Sequence, residues 1–307
     1  MLNDDYELTR EDIQDLSSRD ALYDVAVGER LKDRICFEIF PHFARGFILY
    51  AQRTGQLPAG LKALPAEERH RLLEPFFSGT LTFLYRLLFL FYAESRDLLP
   101  VRGVRGYYQK SLEKLKRELA ARAGPIEDQA SGNIRAAYNE LSTSLYDQLQ
   151  DLFHALDRGD PDLNVPIYNG GLFVSQPDPG DLSPEAAVAC FLSACKIPDR
   201  QLAFGLDRLA RDVDEKQRDL AFIDYKRLGV RQLGCIYEGL LEFKLRIAPV
   251  EMAVVKGKKT EEVIPYTEAI QKKLPIIKEG RGKDARDKTL PEGTVYLEND
   301  RRERKAS

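Results

Sequence analysis

Apolar residues recur at every third or fourth position along most of this chain, the spacing that gathers them on one face of a helix. Ile134, Ala137, Tyr138, Leu141, Leu145, Leu149, Leu152 and Phe153 form one such stripe. Asn133 is placed to cap its start and Asp160-Pro161-Asp162 to end it. Ser183-Pro184-Glu185 is a helix start, an accepting serine followed by proline in the first turn, and it leads into AAVACFLSACK. From about Leu228 a further helix sets Leu233, Tyr237, Leu240 and Leu241 on one face. The most apolar run, LTFLYRLLFLFYA over Leu81–Ala93, is shorter than the ~20 residues of a membrane span and contains Arg86, so it reads as a core helix.

Beyond Phe243 the period changes. Leu245, Ile247, Val250, Met252 and Val254 approach alternation, and Lys256-Gly257-Lys258 supplies a turn before Glu262-Val263-Ile264, which predicts a small hairpin. Gly280–Lys288 is a charged loop, and Thr294–Leu297 a last short strand. The expected fold class is mainly α: a multi-helix connector or bundle with a small, basic, hairpin-containing section at the C-terminal end. Three parts follow from these changes of texture: a helical part over 1–160, a helical connector over 161–243, and a β-containing extension over 244–307.

Composition sharpens this picture in two respects. With 43% hydrophobic and 31% charged residues the chain is globular rather than disordered. Four cysteines without a CxxC pair, and a start with no leader-like apolar stretch, point to a reducing cytoplasm and to no membrane association. The formal charge of −3 hides an asymmetry. Residues 244–307 hold 16 Lys and Arg against 11 Asp and Glu, a balance of +5, which leaves −8 on residues 1–243. A basic section after an acidic body suits a polyanion near the C-terminal end.

The chain contains no G-x-G-x-x-G, no Walker A, no G-x-S-x-G and no Asn/Asp-Pro-Pro-aromatic sequence, so no catalytic residues are assigned. Glu242-Phe243-Lys244 fits the short acid-x-Lys pattern of metal-dependent nucleases, but at the end of a helical stretch it reads as an ion-bearing helix end. Asp214-Glu215-Lys216 belongs to a charge run, Arg211–Arg218, read as a solvated helix face. His42, His70 and His154 lie far apart, and Cys190 and Cys195 face different sides of a helix, so no metal ligands are assigned.

Four segments occur in the order found in one family. They are Arg86–Pro100 (RLLFLFYAESRDLLP), Tyr168–Phe173 (YNGGLF), Asp224-Tyr225 with Leu233–Glu242 (LGCIYEGLLE), and Arg301–Ser307 (RRERKAS). Together they resemble the helical connector of adenine-specific DNA methyltransferases of the type IIG-like restriction-modification enzymes. Cys235 stands where that family's pattern has a small polar residue. In the family the last run leads into a Tyr-Tyr-Thr-Pro segment that opens the cofactor-binding domain. The resemblance therefore implies that Glu303–Ser307 approaches a methyltransferase domain lying outside this sequence, that S-adenosylmethionine belongs to that domain, and that this chain binds no cofactor.

On this reading the partners are double-stranded DNA and a methyltransferase domain or subunit. Candidate DNA-backbone contacts are Lys256, Lys258, Lys259, Lys272, Lys273, Arg281, Lys283, Arg301, Arg302 and Arg304, with Arg286, Lys288 and Lys305 beside them; interspersed cations neutralise phosphates without reading sequence. Gly170 and Gly171 permit a tight turn after Asn169, with Leu172 and Phe173 anchoring it in the core. Gly234 and Gly239 within a helix predict a close crossing there, Tyr237 is expected to be buried with its hydroxyl satisfied, and Glu238 to pair with an arginine or an amide. The rival from another class is a helical protein–protein adaptor in a phage-defence assembly that never touches DNA.

Overall fold

The computed structural model describes residues 28–58, 60–104, 106–168, 170–214, 219–257, 261–279 and 285–299. The chain is mainly α, as the apolar periodicity predicts, with short strands confined to small antiparallel sheets. A helical run over 28–34 (α1) passes through a π-helical turn, Ile35–Ile39, into α2 (Phe40–Arg53). The central element is α3 (Ala66–Ser95), 30 residues long and packed by α2, by α4 (Leu112–Ala123) and by α7 (Pro184–Ala194). Among the described residues it is the one helix long and apolar enough to cross a membrane by length and composition. Phe83, Leu84, Leu87 and Leu90 on it are fully buried within the protein, which makes it the core helix that its sequence predicts.

Helix starts explain much of the local order. Ser111 and Ser183 accept from Lys114 N and Ala186 N at the starts of α4 and α7, filling donors the helices leave open. The long stripe from Ile134 to Phe153 is two helices rather than one: α5 (Glu127–Ala137) stops, and α6 (Ser144–Arg158) begins after an Asn139 turn. Asn133 is therefore not a cap. It lies inside α5 and its amide donates to Ala123 O, tying α5 to the end of α4. The cap of α6 comes from far along the chain. Asp199, the first residue of α8 (Asp199–Ala210), accepts from Leu145 N at 2.8 Å and from the Ser142 and Ser144 hydroxyls.

Two other expectations are corrected. Arg211–Val213 is strand β1, paired with β2 (Leu220–Phe222), and not a helix face; residues 215–218 lie outside the described residues. In α9 (Val230–Leu240) the buried positions are Ile236 and Leu240, with Leu233 half-buried, so the apolar face is turned by about one residue. Tyr237 and Leu241 fall on the outer side, 45% and 52% exposed.

The C-terminal section starts with β3 (Phe243–Ile247), which pairs not with the next strand but with β9 (Val295–Asn299), from Phe243↔Asn299 to Ile247↔Val295. Between them β4 (Met252–Lys256) and β5 (Glu261–Pro265) form the expected hairpin, and β8 (Thr289–Leu290) flanks β4 on its other side. A short α10 (Tyr266–Gln271) and the β6–β7 pair (Lys278–Glu279 with Arg286–Asp287) complete the section. Phe243, Leu245, Ile247, Val295 and Leu297 join the apolar core of the helical body, whereas Ala253, Val255, Ile264 and Ala269 form a small core of their own.

Candidate functional site

Arg86 is the largest fully buried side chain among the described residues, at 1% exposure in the middle of α3. A buried guanidinium must find acceptors, and here they come from a strap that follows Tyr168. Nε donates to Leu172 O at 2.8 Å and Nη2 to Val174 O at 2.9 Å. The guanidinium also sits over the rings of Phe153 and Phe173, at 5.1 and 5.9 Å. Burial pushes it down to about 10, so it remains a cation at neutral pH.

The strap has the backbone its glycines allow. Gly171 adopts φ 74, in the left-handed region, and Phe173 is buried against Phe89 and Phe153. Asn169 of the same motif lies outside the described residues. Tyr168 donates its hydroxyl to Leu98 O at 3.0 Å, and its ring meets Phe89 edge-on. At the strap's far end Ser175 donates both its amide and its hydroxyl to Asp157, and its hydroxyl lies 3.0 Å from His154 Nδ1.

The third segment closes on the same helix. Tyr225 stacks on Phe91 at 4.7 Å between centroids and donates its hydroxyl to Leu209 O. Tyr237 packs against Tyr85 at 4.6 Å, and the Tyr85 hydroxyl donates to the Tyr237 carbonyl. Tyr237 is not buried as expected, and Glu238 is exposed beside it. At neither glycine does the predicted close crossing show itself, since the tight neighbour at Gly239 is the end of a flexible lysine side chain. A Cβ at Gly239 would stand 2.8 Å from Lys32 Cε, whereas one at Gly234 would meet nothing within 4 Å.

At the exit of α3, Glu94 is buried. Its carboxylate accepts from the Tyr107 hydroxyl at 2.9 Å, Leu112 N at 3.0 Å and Glu113 N at 2.6 Å, so it holds the N-terminus of α4. Burial pushes its carboxyl up to about 7, against the opposing pull of those three donors. The open cleft beside it is lined by Asp97, Arg102, Glu113 and Arg117, and within it the cations are paired, Arg102 with Asp97 and Arg117 with Glu113.

Of the candidate DNA-backbone cations, Lys256, Lys272 and Lys273 are among the described residues, and all three lie on the section after Phe243. Lys256 is exposed at the end of β4 opposite Glu261, Lys272 pairs with Glu268 at 2.6 Å, and Lys273 is exposed just past α10. Of the neighbouring cations, Lys288 pairs with Glu261 at 3.2 Å and Arg286 stands exposed on β7. Lys258, Lys259, Arg281, Lys283, Arg301, Arg302, Arg304 and Lys305 lie outside the described residues, as does Glu303–Ser307 as a whole.

Glu242-Phe243-Lys244 proves to run into a strand, with Lys244 opposite Glu298. The strand is the setting that a nuclease lysine requires, but among the described residues no group of three or more His, Cys, Asp or Glu side chains could hold a metal ion. All four cysteines are free.

Arg86, Glu94 and Asp199 organise this region, and the sequence reading missed the role of each. Arginine inside LTFLYRLLFLFYA was the available signal for the first: a cation in the middle of an apolar helix implies a bound acceptor. The other two gave none, since their partners are backbone amides 18 and 54 residues distant. No protein-family model, no curated protein and no solved structure matches this chain.

Proposed function

We propose that this chain is a helical positioning module of an adenine-specific DNA methyltransferase of the restriction-modification type, carrying no reaction itself. The observation that supports this reading is the convergence of the resembling segments on one helix. Arg86–Pro100 supplies α3, Tyr168–Phe173 supplies the strap bound by Arg86, and Tyr225 with Leu233–Glu242 supplies the rings and the helix laid against it. Three motifs separated along the chain thus serve one rigid junction, as expected of a part that fixes the distance between DNA-engaging modules. The basic section after Phe243 would hold duplex DNA by its phosphates, while a methyltransferase domain or subunit flips adenine and supplies S-adenosylmethionine chemistry.

Two measurements test this. The coding DNA after Ser307 should continue in frame through a Tyr-Tyr-Thr-Pro-like stretch to an Asn-Pro-Pro-aromatic motif; unrelated sequence there refutes the methyltransferase assignment. Duplex binding by the purified chain should fall steeply with salt and on charge reversal at Lys256, Lys258 and Lys259, and no binding at low salt removes the DNA role. A second reading, the protein–protein adaptor, is favoured by the apolar outer side of α9, where Val230, Tyr237 and Leu241 stand exposed.

A further inference from the structure

Residues 1–243 carry −8, yet their cations are not spread evenly. Where the exit of α3, the start of α4 and the turn after β2 come together, Asp97 pairs with Arg102 and Asp224 with Arg227, while Glu113 alone answers both Lys116 and Arg117. Arg96 donates to a carbonyl, that of Lys226, at 2.7 Å, and the Lys226 side chain stands exposed. Among the described residues three surface carboxylates thus face six cations, a local balance of +3. Glu94 lies buried beneath them, its carboxylate taken up by Tyr107 and the first amides of α4.

An aromatic ring sits among these cations. Phe222 on β2 is 41% exposed, with Lys116 Nζ 5.0 Å and Arg117 Cζ 5.7 Å from its centroid. Lys116 also reaches the ring of Phe91, at 6.0 Å, and Phe91 is stacked on Tyr225, the residue before Lys226, so the ring, the α4 cations and the turn form one surface. Phe222 further walls an open cleft of about 150 Å³ with Ile223 and Leu228, in which Asp212 and Asp224 are engaged by Arg34 and Arg227. An exposed ring edged by cations fits an unpaired nucleotide, whose base offers a flat face to the ring and whose phosphodiester offers charge to the cations. A duplex keeps its base faces inside the stack. An acidic peptide supplies the charge and no plane to lay on Phe222.

We propose that this surface binds single-stranded nucleic acid, with Phe222 stacking on a base and Arg96, Lys116, Arg117 and Lys226 neutralising the flanking phosphates. It uses none of the cations after Phe243 and does not rest on the methyltransferase reading.

The full chain contains no tryptophan, so Phe222→Trp sets a single indole at the platform. Oligothymidylate added to this variant at low salt should quench the indole emission saturably. Adding Arg96→Glu and Lys226→Glu should weaken the binding read by quenching about tenfold and make its log–log salt slope shallower by about 1.4, two phosphate contacts at about 0.7 each. In the chain without the indole, Phe222→Ala should lower affinity for labelled oligothymidylate about tenfold by anisotropy, the loss of one stacked base. Absence of quenching in the folded Phe222→Trp chain overturns the proposal. So does quenching as strong from a duplex of the same length or from polyglutamate, and so does quenching that survives the double charge reversal. The indole reports on this surface alone: duplex DNA held by the cations after Phe243 leaves its emission unchanged, so failure here and failure of the proposed duplex binding are told apart.

Discussion

Replacing Arg86 by leucine asks whether the strap is held by a buried cation or merely lies over it. The substitution keeps an apolar side chain in the core and removes two charge-assisted hydrogen bonds, to Leu172 O and Val174 O. Each such bond contributes about 1.5–3 kcal/mol, and the two carbonyls are left inside the protein without the donors that met them. Against that loss stands the desolvation cost that the guanidinium no longer incurs, which is why replacing a buried charge by an apolar group can be neutral. Two bonds at good distance and two ring contacts decide the balance here, and the expected net destabilisation is about 3 kcal/mol. Arg86→Lys should be no more stable than Arg86→Leu, because an ammonium keeps the desolvation cost and cannot reproduce a fork across two carbonyls. Urea unfolding gives the stability change, and hydrogen exchange of residues 172–176 locates it. The reasoning fails if Arg86→Leu unfolds within about 0.5 kcal/mol of the parent, the range of an ordinary surface substitution. A pH titration cannot replace the mutation: a cation lowered only to about 10 is charged throughout the neutral range, so its contribution is flat there.

Three further outcomes are expected. Glu94, with its folded carboxyl raised to about 7 from an ordinary 4.5, contributes stability that is fully present below pH 4.5 and is lost as pH rises through about 7. Glu94→Gln should therefore flatten the pH dependence of the urea midpoint across that window, by on the order of 3 kcal/mol, and an unchanged slope would show that the three donors keep the carboxylate ionised. Asp199→Ala removes the distant cap of α6 and should cost about 1–2 kcal/mol by urea unfolding, with the amide of Leu145 losing exchange protection; retained protection would show another acceptor taking its place. Gly205→Ala sets a Cβ of α8 against the ring of fully buried Phe43, so overpacking of about 1–3 kcal/mol should outweigh the helix propensity gained, and an equal or higher melting temperature would count against that contact.

What the sequence disclosed follows the range of the interactions. Ser183 and its proline, the core helix around Leu84 and the hairpin of β4 and β5 depend on neighbours within a few residues, and their patterns announced them. The break between α5 and α6 did not announce itself. Its apolar stripe runs on without interruption, and the cap that starts the second helix is Asp199, far along the chain. Likewise the partner of β3 is β9, not the strand that follows, because the alternation from Leu245 to Val254 specifies faces and not pairings. Tyr237 was misplaced for a geometric reason: on a helix of 11 residues, a shift of one position in the buried face carries a side chain from core to surface.

That ladder also governs how the basic section can serve any polyanion. Its first and last strands are paired with each other, and Leu245, Ile247, Val295 and Leu297 on them share the core of the helical body. Everything from Ala248 to Thr294 is thus an excursion that leaves and returns at one place, with its own small core around Ala253, Val255 and Ile264. Lys256, Lys272 and Lys273 ride on that excursion. Their orientation relative to α3 is therefore set through two strands at once, which resists swinging more firmly than a single linker would. Phe243 opens the ladder two turn residues after α9, so the helix tied to Tyr85 and the paired strands from which the excursion leaves are joined by the short Leu241-Glu242 turn.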